Sequence, residues 1–291
     1  MYTTLALVAF AANSVLCRLA LRDGAIDAAS FSTIRLISGA ATLLILTARA
    51  PKTASRAEGS WTSAALLFLY AVPFSFAYLG LSAGTGALIL FGCVQLTMMI
   101  AAVRSGERPQ PRQWLGIGLA CAGLVYLMLP GLAAPPLISA GLMALAGCAW
   151  GFYSLRGRPT APSSAGAGGM NPLAQTSSNF VRAVPMVLAV SVLALPQMHV
   201  EPTGALLASA SGALTSALGY VVWYAALRRL TATRAAVVQL AVPILAAVGG
   251  VVFLAEMVSV RLALSTVMVV GGIALALAGP STELRASRDR A

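Results

Sequence analysis

Ten apolar segments of roughly 20 residues follow one another along the chain, separated by short stretches that hold nearly all of its charge. They cover about 3–21, 29–48, 61–82, 85–104, 112–130, 137–156, 173–196, 204–227, 234–254 and 261–279. Such a chain cannot hide its apolar residues behind a polar surface. Hydrophobic residues make up 59% of it and charged residues 9%, where a soluble domain carries about 25% charged residues. Most of the exterior must face lipid, and each segment is predicted as a helical span. The expectation is an all-α integral membrane protein.

The charges fix an orientation. With the N-terminus placed in the cytoplasm, fourteen of the nineteen basic residues fall on the cytoplasmic side. Only Arg18, Arg22 and Arg261 fall on the other side, and Arg35 and Arg182 lie inside segments. Membrane proteins concentrate Lys and Arg in cytoplasmic loops, so both termini are predicted cytoplasmic. The same asymmetry accounts for the net charge of +11 without nucleic acid, and no nucleic-acid-binding motif is present. The N-terminal MYTTLALVAF lacks the basic start of a cleavable signal peptide, so the first segment is expected to be retained. Abundant Arg, Ala and Gly suggest a GC-rich bacterium, and hence its inner membrane.

Metal and redox chemistry find little support. Cys17, Cys93, Cys121 and Cys148 all lie in apolar segments without a CxxC spacing and read as small buried hydrophobes. His199 is the one histidine. No metal site and no cofactor are expected. An enzyme would need paired acids, a histidine cluster or a nucleophile with its base, so no enzymatic activity is expected either.

The chain also repeats itself. SGERPQPRQWLGIGLACAGLVYLM resembles LAEMVSVRLALSTVMVVGGIALAL when Glu107 is set against Glu256. The same offset places Gly123 on Gly272, and STIR in helix 2 matches NFVR in helix 7. Helices 1–5 thus look duplicated as helices 6–10, with units at 1–131 and 132–291 and a Gly/Ser/Pro-rich loop at 157–172 between helices 6 and 7. Five is odd, so the second copy enters the membrane from the opposite side. Two inverted five-helix repeats suit alternating access to one central site.

These motifs carry a family resemblance over nearly the whole chain. AFAANSVLCRLAL, FSTIRLISGA, CAWGFYSLRGR and AAVVQLAVPILAAVGGVVFLAE, in that order, resemble the drug/metabolite transporter superfamily, in particular ten-helix proteins with two EamA-type repeats. The resemblance implies export of small metabolites, with amino-acid exporters of the YddG type, which handle aromatic amino acids, as the favoured subgroup. Helix 9 carries Pro243 in its middle, whereas the corresponding position in helix 4 is Val94, preceded by Gly92. The partners expected are a small-molecule substrate and the lipid bilayer, for a protein acting as a monomer. Alternatives are export of another amphipathic metabolite or drug, or a membrane sensor or scaffold.

Candidate cavity residues are aromatic or polar side chains within spans. Tyr70, Phe74 and Tyr78 fall at i, i+4, i+8, and Tyr220, Trp223 and Tyr224 at i, i+3, i+4, each set forming one helical stripe. Tyr78, Trp223 and Tyr224 would wall or gate a cavity, or else pack at the lipid interface. Trp150 and Tyr153 are further candidates, because helix 6 matches the helix 1 motif that carries Asn13. Asn13, Ser82, Gln95, Asn179 and Gln239 could bind an amino group or carboxylate, or else bond between helices.

All eight acids lie at segment ends or in loops, so no mid-membrane carboxylate is available to carry protons. A facilitator or exchanger is therefore expected. Glu107 and Glu256 read as caps of the helix that follows each, or as partners for nearby Arg. Arg35 and Arg182 read as one structural device used twice, each shallow enough to snorkel toward an interface. The rival role for them is binding of a substrate carboxylate.

Overall fold

The structure, a computed structural model, describes residues 2–50, 59–104, 110–129, 134–157, 172–227 and 238–277, with backbone alone at Pro172, Tyr224 and Leu227. Among these residues every regular element is helical. The helices are α1 (Tyr2–Arg22), α2 (Ala28–Arg49), α3 (Trp61–Ala77), α4 (Ala83–Arg104), α5 (Pro111–Met128), α6 (Leu137–Arg156) and α7 (Pro172–Leu193). A rod, α8, follows in three consecutive stretches: Pro202–Ala210, a π-helical Ser211–Leu218, and Gly219–Leu227. The last two are α9 (Ala241–Leu254) and α10 (Val260–Leu277). Seven helices are long and apolar enough to cross a membrane, and α3 and α9 are shorter apolar helices.

Local chemistry sets the ends. Asp27 caps α2 by accepting the Ser30 N–H at 2.9 Å, and Ser60 caps α3 by accepting that of Ser63 at 3.1 Å. At α5, Gln110 and Gln113 form a reciprocal capping box ahead of Pro111. The C-terminal boundary of α3 falls short of the expected 82, because residues 78–80 turn and Ser82 starts the cap of α4. At α9, Leu240 interrupts the helical path and the regular helix starts at Ala241. Pro243 lacks the N–H that would bond the Gln239 carbonyl, and its ring crowds that carbonyl. Pro243 therefore lies in the first turn of α9 and not in the middle of a span.

The helices pack in a defined set of pairs: α2 on α7, α4 on α9, α5 on α10, α3 on α6, α1 on α8, α4 on α6 and α1 on α9. The α5–α10 pair is the closest in character to a small-residue crossing. A Cβ on Gly116 would fall on the Gly272 carbonyl, and one on Gly272 would lie 2.6 Å from the Gly116 carbonyl and the Ala120 nitrogen. Such contact is how apolar helices gain packing energy in lipid.

One end of the bundle is laced together by polar contacts. Arg18 lies 3.4 Å from Glu256 Oε1 and donates to the Tyr78 carbonyl at 2.8 Å, while Arg22 donates to the Leu254 carbonyl. Beside this, the α1–α2 turn pairs with the α7–α8 connection. The Asp27 N–H donates to the His199 carbonyl at 2.9 Å and the Glu201 N–H to the Ala25 carbonyl at 2.8 Å, around an Ile26–Val200 bridge. At the opposite end the Asn179 side chain accepts the Ser60 N–H at 3.1 Å, and Arg156 donates to Ser63.

Candidate functional site

Between these two ends, α1, α3, α4, α6 and α8 enclose a cavity walled by Phe10, Asn13, Tyr70, Phe74, Leu90, Phe91, Trp150 and Tyr220. The rings form one continuous cluster. Trp150 lies 4.9 Å from Tyr70 and 4.8 Å from Tyr220 between centroids, and Tyr153 stacks on it at 5.5 Å. Phe10 meets Trp150 edge-on at 6.2 Å and Trp223 at 5.7 Å. The space left among them admits the centre of a water molecule over only about 10 Å³, which is about one water. The arrangement is closed.

A polar seam runs along one side of this cluster. Asn13 Nδ2 donates to the Tyr70 hydroxyl at 3.3 Å, and Asn13 Oδ1 accepts from Ser211 at 2.7 Å and Thr215 at 3.1 Å. Arg35 continues the seam: Nε donates to Ser216 Oγ at 3.1 Å and Nη2 to the Tyr70 hydroxyl at 2.9 Å. Its guanidinium carbon stands 5.1 Å from the centroid of Tyr70 and 4.9 Å from that of Phe74, within cation–π range. Ser211, Thr215 and Ser216 all come from the π-helical stretch of α8, a backbone form frequent at functional sites. That stretch lies directly against α2, since a Cβ on Gly212 would collide with the Arg35 carbonyl.

Arg35 thus differs from its sequence reading. It is 1% exposed, at the heart of the protein, and does not snorkel. Counting residues from a helix end gives depth along the helix but not direction, and here α3 and α8 cover the side chain. Arg182 is only half-buried and donates to Ser178 on its own helix. The two arginines occupy different environments, so the single repeated device is not what is observed.

The other predicted residues divide. Asn13 and Trp150 line the cavity, with Tyr153 and Trp223 in the ring layer behind it. Tyr78 is fully buried but packs edge-on to Phe74 at 4.8 Å, toward the laced end. Ser82 accepts the Thr85 N–H as a helix cap. Asn179 joins α7 to Ser60 and to the Tyr153 hydroxyl. Gln95 and Gln239 are buried in α4 and just ahead of α9, outside the cavity wall. The side chain of Tyr224 and all of Glu107 lie outside the described residues. Glu256 caps a helix, but not the next one: its Oε2 accepts the Ala83 N–H of α4 at 2.9 Å, and Ser259 caps α10.

Phe10, Ser211, Thr215 and Ser216 were not singled out from the sequence. Their signal was weak: Phe10 precedes Asn13 by one helical turn, and the hydroxyls sit in SGALTSAL, an otherwise ordinary apolar stretch.

Apolar helices around a polar–aromatic interior define a multi-pass membrane protein. The chain belongs to the EamA-like transporter family, within the drug/metabolite transporter superfamily, and the family pattern matches residues 1–129 and 137–278. It is 49% identical over 276 residues to a Pseudomonas aeruginosa protein described as "Uncharacterized protein PA1977", across 95% of this chain and 93% of that one. A solved crystal structure, 20% identical, shares the fold with a TM-score of 0.64 over 95% of this chain and 98% of that one.

Proposed function

We propose that the protein is a secondary transporter that exports small amphipathic metabolites across the bacterial inner membrane, with neutral and aromatic amino acids, as in YddG-type exporters, the first class to test. The observation that carries this reading is the central cavity itself. It takes Asn13, Tyr70 and Phe91 from the first half of the chain and Trp150 and Tyr220 from the second, so relative movement of the halves opens it. The helix pairs support two related five-helix units: α3 on α6 becomes α8 on α1 when the halves are exchanged, and α4 on α6 becomes α9 on α1. The family match in two successive stretches agrees with this. Inverted repeats of this kind serve alternating access.

Both termini lie in the cytoplasm in this reading, from the distribution of Lys and Arg. Transport is facilitative or by exchange, because the acids lie at span ends or in loops, and the protein works as a monomer. Purified protein in liposomes, offered a panel of labelled amino acids, tests the function. Saturable flux that persists without a proton gradient is expected. Absence of flux across the panel and across other amphipathic metabolites overturns the transport reading, and obligatory proton coupling overturns the facilitator.

A further inference from the structure

Arg35 keeps a buried donor without a partner. Nε and Nη2 are bonded to Ser216 and Tyr70, but Nη1 is shielded from solvent and meets no acceptor among the described residues. No carboxylate faces it either. The described ion pairs are Arg18–Glu256, Arg22–Asp23 and His199–Glu201, all of them elsewhere. A buried cation without an acid, and with an N–H to spare, is costly to hold. The faces of Tyr70 and Phe74 offset only part of that cost. Those same two rings wall the cavity, so the uncompensated charge stands immediately behind an aromatic enclosure.

We propose that Arg35 is the carboxylate anchor of the transport site, and that the site prefers aromatic carboxylates over amines of the same skeleton. This rests on the transporter reading and names its substrate chemistry. The substrate's ring lies among Trp150, Tyr220 and Phe10, and its carboxylate bonds Arg35, supplying both the missing acceptor and the missing negative charge. An amino group finds no such provision. Asn13 Oδ1 already accepts from Ser211 and Thr215, and no acid lines the cavity. Since the closed arrangement holds about one water, the anchor acts in the forms that open to either side.

Three probes with one phenylethyl skeleton test this on the purified full-length protein, through the fluorescence of Trp150 and Trp223. They are 3-phenylpropionate, phenylalanine and phenethylamine. The acid is expected to bind saturably and at least tenfold more tightly than the amine, with phenylalanine between them. Arg35→Gln should raise the Kd of 3-phenylpropionate at least tenfold while leaving that of uncharged 2-phenylethanol within twofold, and Arg35→Lys should recover part of the loss. Equal binding of acid and amine to the unsubstituted protein overturns the proposal, whether or not the variants fold. So does failure of all three probes to bind, or an equal loss for 2-phenylethanol. Flux of the same probes in liposomes separates the two readings. Saturable acid binding without flux of any probe removes the transporter and leaves the anchor, whereas flux that favours the amine removes the anchor and leaves the transporter.

Discussion

Glu256 accepts the backbone N–H of Ala83 at 2.9 Å and so caps a helix that begins 173 residues earlier in the chain. Its other oxygen lies 3.4 Å from Arg18, which joins α1, α4 and the α9–α10 connection at one point. Ala255 makes this possible. Its left-handed backbone, with φ of 51°, ends α9 and turns the next residue back toward the bundle.

Removing that carboxylate should loosen this end. Glu256→Ala is expected to cost about 1–2 kcal/mol, the range for a hydrogen-bonded charge reduced for partial exposure. Glu256→Gln should cost less, because an amide oxygen can still accept from Ala83. Thermal unfolding in detergent measures both, and thiol labelling of a Ser82→Cys background should quicken most in the Ala variant. Identical behaviour of the two variants would show that the cap contributes nothing.

The α5–α10 crossing makes a paired prediction. Ala at Gly116 or Gly272 places a methyl against the facing backbone, and should destabilise by about 1–3 kcal/mol through overpacking. Ala at Gly118 or Gly271 meets nothing within 4 Å and should be neutral or stabilise by up to ~1 kcal/mol through helix propensity. Melting temperatures of the four variants give the comparison. A drop of the same size at all four sites would contradict the close approach.

Asn13 is expected to matter more than either hydroxyl that it accepts. Asn13→Leu strips an acceptor from Ser211 and from Thr215 and a donor from Tyr70, at an expected cost of about 2–3 kcal/mol. Thr215→Val leaves the Asn13–Ser211 bond in place and should cost under about 1 kcal/mol. Denaturation of the purified variants ranks them, and the reverse order would place the weight of the seam on α8.

The loop pairing beside α2 should resist acid. Burial pushes the Asp27 carboxyl up, but donors from Ser30, His199 and Ala29 outweigh it and hold it below the ordinary 3.8. A lowered folded-state value means that the contribution is complete above 3.8 and is lost as pH falls through the lower value. Exchange of the His199 amide, which donates to Asp27 at 3.0 Å, should stay protected at pH 5 and open only below 3.8. In Asp27→Asn the same amide should lose that acid-dependent step. Opening well above 3.8 in the unsubstituted protein would show that another group controls the pairing.

The helices were legible because lipid imposes a simple rule on sequence: long apolar runs, broken by charge and proline. The stripe of Tyr70 and Phe74 was legible too, since helical spacing alone puts them on one face. What escaped was contact between distant segments. Nothing near FSTIRLISGA says that Ser216 will meet Arg35, and nothing near LAEMVS says that Glu256 will cap Ala83. Pro243 illustrates a subtler limit: its effect falls one turn upstream, on Gln239 and Leu240, where the sequence still looks helical.

The π-helical stretch of α8 has one more consequence. A segment bonded from each residue to the fifth along packs extra chain into each turn, so the helix after Leu218 is out of phase with the helix before Ser211. Deleting a single residue there would shorten the rod by about 1.5 Å yet swing everything downstream through about 100°. Tyr220 would leave the side of Trp150, and the rod would still span the same distance. The angular setting of the cavity wall is thus written in the backbone of one short segment, and the length of α8 and the aim of its side chains are separately adjustable.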